Sequence, residues 1–164
     1  MNSQIIEELK VYASAPWNPQ QKAWYEQRLK DARPVQCVKM RYALNVSSLA
    51  VLREARYHAE RKGCYKNAAM LVDIAHFYGL KPEMRYVEGL ALDPALPISI
   101  EHAWVRVGDL YIDPTAERCL YADVSKWEYV ALVEKTWDEL MAILNETGYY
   151  GDIYRYDYLK KLTK

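Results

Sequence analysis

The stretch Glu101–Thr115 reads EHAWVRVGDLYIDPT, with apolar residues alternating on both sides of Gly108-Asp109. That alternation predicts a β-hairpin, because glycine at the first central position of a two-residue loop permits the positive φ of a type II′ turn. With Gly108-Asp109 as the turn, Val105 pairs with Ile112 and Arg106 with Tyr111. Paired residues share a face, as do residues two apart on one strand. One face then carries Ala103, Val105, Val107, Leu110, Ile112 and Pro114, wholly apolar and expected to pack on the core. The other carries His102, Trp104, Arg106, Tyr111, Asp113 and Thr115. There Asp113 lies opposite Trp104 and diagonal to His102, with β-carbons about 7 Å apart, within reach of an imidazole–carboxylate hydrogen bond.

An imidazole oriented by a carboxylate is half of a nucleophilic triad. Cys64 supplies a nucleophile. In GCYKNAAMLVDIAHFYG it follows Gly63 and opens a helix whose stripe is Cys64, Ala68, Leu71, Ala75 and Tyr78, with Gly79 as the stop. Backbone N–H groups at a helix start, and a nearby imidazolium, favour thiolate over thiol.

The remaining sequence frames these three residues. Residues 3–13 predict an amphipathic helix, and WNPQQKAWYEQRLKDAR predicts a second, with Asn18 as cap and Pro19 at its first position. VQCVKMRYAL is expected to be a short strand, and a helix is expected from Ser47 or Ser48 to Arg61, ending at Gly63. EMRYVEGLAL and WEYVALV read as strands, and DPALPIS as a loop. Thr136 and Glu139 form a capping box for a helix stopping near Gly148. The tyrosine-rich tail is ambiguous between packing element, edge strand and partner-binding segment. The expected organisation is one domain spanning 1–164: N-terminal helices over 1–62, a catalytic core over 63–135, and a C-terminal helix and tail over 136–164.

The 22 Lys and Arg residues balance 22 Asp and Glu, and no long basic run stands out, which argues against nucleic acid as a principal partner. The N-terminal stretch has acidic residues where a secretory signal needs basic ones, and no apolar run is long enough for a membrane span. Cys37, Cys64 and Cys119 are widely separated, which suits free thiols in a reducing cytoplasm. Zinc ligands come in closely spaced pairs, and none occur among the three cysteines and three histidines.

The order Cys64, His102, Asp113, in GCYKNAA at 63–69, RYVEGLA at 85–91 and EHAWVRVGDLYIDPT at 101–115, resembles the transglutaminase-like branch of the papain-like cysteine enzymes. The resemblance covers about a third of the chain. It implies an α+β fold with the catalytic helix packed on an antiparallel sheet, a covalent thioester intermediate, and no metal or organic cofactor. The chain is much shorter than the multidomain animal transglutaminases, and its interval from histidine to aspartate is compact for the group.

The expected activity is acyl transfer from an amide or peptide bond through a thioester on Cys64, on a protein, peptide or small amide substrate. Water as acceptor makes a protease, amidase or deamidase, and a second amine makes a transamidase. A silent module keeping the groove for peptide binding is the alternative from another class. Four further residues are candidates around the triad. Asn67 is either a support of the site or a solvated helix position, and Glu88 either lines a substrate groove or faces water. Trp104 either shields the imidazole–carboxylate pair or is ordinary packing. The Cys64 N–H is a plausible oxyanion donor by helix geometry, and Gln36 stands as a second.

Overall fold

The computed structural model describes residues 3–163. It is mixed helix and sheet, with a curled antiparallel sheet of five strands in the order β1-β5-β2-β3-β4. The strands are β1 (Arg33–Val35), β2 (Met84–Leu92), β3 (Ile100–Val107), β4 (Leu110–Ile112) and β5 (Glu128–Lys135). The helices are α1 (Gln4–Ser14), α2 (Pro19–Asp31), α3 (Met40–Ala43), α4 (Val46–Glu54), α5 (Cys64–Phe77), α6 (Pro114–Cys119), α7 (Trp137–Thr147) and α8 (Ile153–Leu162).

The expected caps are in place. Asn18 accepts from the Gln21 N–H, and Thr136 and Glu139 satisfy each other's backbone N–H groups at the start of α7. Gly148 ends α7 in the left-handed region at φ 76°, which only glycine enters at no steric cost.

The β3–β4 hairpin has the expected register, Val105 with Ile112, Arg106 with Tyr111 and Val107 with Leu110, and Gly108 turns it at φ 59°. The sheet curls until its edges meet. After β1 has paired with β5, the chain continues to Cys37, which bridges Tyr111 of β4, and the Val38 N–H donates to the Tyr111 carbonyl.

The curl buries both faces of the hairpin. The Ala103, Val105, Val107 and Ile112 face does pack beneath α5, against Ala68, Leu71, Val72 and Ala75. The opposite face lies inside the curl, where Trp104 packs with Val87, Tyr129, Ala131 and Cys37. Farther along the outer face, Leu90, Leu92, Val130 and Leu132 cover themselves with Ile5 and Leu9 of α1. Leu110, assigned to the core face, is exposed instead.

Other local readings change as well. The expected strand through VQCVKMRYAL stops at Val35, and Met40–Ala43 turns into α3, whose first N–H is taken by the Glu117 carboxylate at 2.7 Å. The helix expected to reach Arg61 ends at Glu54. Tertiary bonds hold residues 55–63 out of it: Tyr57 is buried with its hydroxyl on the Asn67 carbonyl, and the Asn67 side chain grips both backbone groups of Glu60. Tyr78, placed on the buried stripe of α5, lies beyond the helix end and is exposed. The ambiguous tail is α8, which packs back through the Tyr154 and Tyr158 rings on Trp24. Among the described residues, no helix is long and apolar enough to cross a membrane.

Candidate active site

Three elements deliver the three expected residues. Cys64 is the first residue of α5, with Gly63 as its cap and no side chain capping it. The first intrahelical bond there runs from the Asn67 N–H to the Gly63 carbonyl. The N–H groups of Cys64, Tyr65 and Lys66 therefore have no acceptor within the helix. His102 comes from β3. Asp113 stands one residue beyond β4, where it is not in a strand, as expected from the alternation, but caps α6 with Pro114 in the first helical turn. Proline suits that position because its missing N–H would be unpaired there in any case.

The site is built around Asp113, which is fully buried and accepts four hydrogen bonds. Its Oδ1 takes the N–H groups of Thr115 at 3.0 Å and Ala116 at 2.9 Å. Its Oδ2 takes His102 Nε2–H at 2.7 Å and the Tyr129 hydroxyl at 2.9 Å. One carboxylate thus ends a strand, starts a helix and fixes the imidazole. Binding Nε2 leaves Nδ1 as the free ring nitrogen, and Cys64 is near enough to act on the charge of the ring.

Burial opposes a charge on His102, which is 5% exposed. The attraction and hydrogen bond of Asp113, reinforced by the nearby Cys64, outweigh it and push the imidazole up to about 10. Two indoles flank the ring, Trp104 at 6.2 Å and Trp127 at 6.4 Å between centroids, and keep water from the pair. Trp104 is thus a core residue that also stands beside the His102 ring. It also sets the shape of β2: a Cβ on Gly89, the strand partner of His102, would lie 2.9 Å from the Trp104 ring and 2.0 Å from the Val130 carbonyl.

Asn67 is a buried support, not a solvated position. Its Nδ2 donates to the Glu60 carbonyl at 2.8 Å and to Thr115 Oγ1 at 2.9 Å, while Oδ1 accepts the Glu60 N–H at 2.9 Å. It ties the approach to Cys64 directly to α6, which Asp113 caps.

Glu88 does not face water; it is buried on β2 and caps α8. Its oxygens accept the N–H groups of Ile153 at 3.1 Å and Tyr154 at 3.0 Å, together with the Tyr86 hydroxyl at 2.6 Å. Burial raises its pKa, against the lowering effect of those bonds. Gln36 uses its amide Nε2 on the carbonyls of Cys37, Val124 and Ser125, which occupies the donors an oxyanion site would need.

Tyr129 was not singled out in the sequence. Its alternation with Trp127 in WEYVALV placed both on one face, but only the pairing of β5 with β2 and the curl bring that face to Asp113. Cys37 is wholly buried, and desolvation pushes its thiol well up. Cys119 is half-buried at the end of α6 and is also raised, chiefly by burial. Among the described residues, no group of three or more His, Cys, Asp or Glu side chains gathers as a metal site. No family model, curated protein or solved structure matches the chain.

Proposed function

We propose that the chain is a cysteine-dependent acyl-transfer enzyme acting on amide or peptide bonds. Within that class we place it in the transglutaminase-like branch of the papain-like fold and favour water as the acceptor. The observation that carries the reading is His102 bonded to the buried carboxylate of Asp113, with Cys64 near the ring at the start of α5.

In the first half-reaction Sγ of Cys64 bonds to the substrate carbonyl carbon as its proton passes to His102. The carbonyl π electrons move to oxygen, and the unpaired N–H groups at the start of α5 are the donors available to that oxyanion. When the tetrahedral species collapses, the C–N bond breaks and His102 gives its proton to the leaving amine. A thioester remains on Cys64. Water then gives a proton to His102 and adds to the thioester, and the thiolate leaves as the acid is released. Water needs no second binding site, which favours hydrolysis over transfer to an amine. Three free thiols suit work in a reducing compartment such as the cytoplasm.

A panel of peptide amides, read by mass for cleavage, for deamidation and for incorporation of an added amine, tests the proposal with Cys64→Ser as control. Turnover lost in the variant, with a substrate-derived adduct on wild-type Cys64, supports it. A peptide bound equally by both proteins without turnover makes the chain a binding module.

A further inference from the structure

We propose that the cleft beside His102 is the acyl-donor subsite and that Arg28 selects there a donor bearing a carboxylate. This rests on the acyl-transfer reading and names its substrate class. The cleft lies where α2, the start of α5, β3 and the start of α8 meet, and is lined by Trp24, Arg28, Tyr65, Glu101, His102 and Tyr154. Tyr65 follows the nucleophile and Glu101 precedes the histidine, so a group held in the cleft is adjacent to the reacting bond. The enclosed space is about 20 Å³, room for a small head group such as a carboxylate, and the cleft is open to solvent, where the rest of the donor lies.

The charges around it are unequal in burial. Arg28 is 8% exposed and lies over the Trp24 ring at 5.5 Å. One terminal nitrogen donates to Glu101 at 3.1 Å, while the buried Nε–H has no partner. A guanidinium presents Nε and a terminal nitrogen as a fork matched to a carboxylate, and half of this fork is unused. Glu101, with a side chain 59% exposed, is free to swing into water and give up its place.

The other charges leave this cation in command. Glu88 spends both oxygens on α8 and Tyr86, and Asp152 and Arg155 stand exposed with one charge of each sign. The exposed pair is screened by solvent far more than the buried guanidinium is.

The test uses three cysteine reagents of similar size, N-iodoacetyl derivatives of the α-amides of glutamate, glutamine and lysine, which differ only in the side-chain group, with labelling of Cys64 and Cys119 read by peptide mass. Wild-type Cys64 is expected to take the glutamate reagent about tenfold faster than the glutamine one, equivalent to roughly 1.4 kcal/mol of discrimination. Folded Arg28→Gln should bring that ratio near one. Glu101→Gln, which removes the internal competitor and leaves Arg28 in place, should raise it severalfold and decides the matter if Arg28→Gln fails to fold. Equal rates with all three reagents, or a preference for lysine, at a fast-reacting Cys64 overturn the subsite alone. A Cys64 no faster than Cys119 with every reagent overturns the acyl-transfer reading beneath it.

Discussion

Asp113 Oδ2 lies 2.7 Å from His102 Nε2 while Oδ1 of the same carboxylate starts α6 through the Thr115 and Ala116 N–H groups. The orientation of the imidazole and the capping of a helix therefore share one side chain. Asp113→Asn separates the two roles. The amide oxygen can still cap α6, but the Nδ2 group turned toward His102 disfavours the tautomer the reaction needs. Turnover should fall by about 10³- to 10⁴-fold with the fold retained, as checked by steady-state kinetics alongside circular dichroism.

The pH dependence of stability follows from His102. Its pKa in the folded chain, about 10, is above the ordinary 6.5, so the folded state holds this proton more tightly than the unfolded state. Its contribution is complete below about 6.5 and is lost as pH rises through about 10. Urea midpoints between roughly pH 6.5 and 9, below the ordinary range of tyrosine, should decline in the wild type. The decline should be shallower in Asp113→Asn, which lacks the charge that raises the imidazole. Parallel curves would contradict the assignment.

Asn67→Ala should destabilise the fold by about 2–4 kcal/mol, because it leaves both backbone groups of Glu60 and the Thr115 hydroxyl without their buried partner. The loss falls on the segment leading into Cys64. Chemical denaturation gives the magnitude, and limited proteolysis between residues 55 and 63 shows where the chain opens.

Gly89→Ala should cost about 3 kcal/mol or more. The clash is with the Val130 backbone as well as the Trp104 ring, and backbone cannot turn aside. Thermal unfolding of the purified variant, or its failure to accumulate as folded protein, is the readout.

The parts of this architecture that local chemistry dictates could be read in advance. Gly108 set the hairpin, and from its register followed the meeting of His102 with Asp113. Asn18-Pro19 and Thr136-Glu139 marked helix starts for the same reason, since their hydrogen bonds close within a few residues. The parts that depend on distant chain could not. Ala55, Arg56 and Ala59 continue a helical pattern, yet Asn67 and Tyr57 outbid local propensity and hold a loop in which Arg56 adopts φ 53°. Glu88 looked like a polar residue in a strand because its partners lie 65 and 66 residues away at α8. Tyr129 reaches Asp113 only because the sheet curls, and the same curl buries the second face of the hairpin.

The central claim is that Cys64 is a nucleophile set up by His102. The most direct measurement is the rate at which iodoacetamide labels Cys64, Cys37 and Cys119 below neutral pH, read by peptide mass in the wild type and in His102→Ala. An imidazolium beside a thiol favours the reactive thiolate, so Cys64 should be labelled well ahead of the other two and lose its lead in the variant. Labelling of Cys64 no faster than Cys119, or unchanged by loss of His102, would contradict the account.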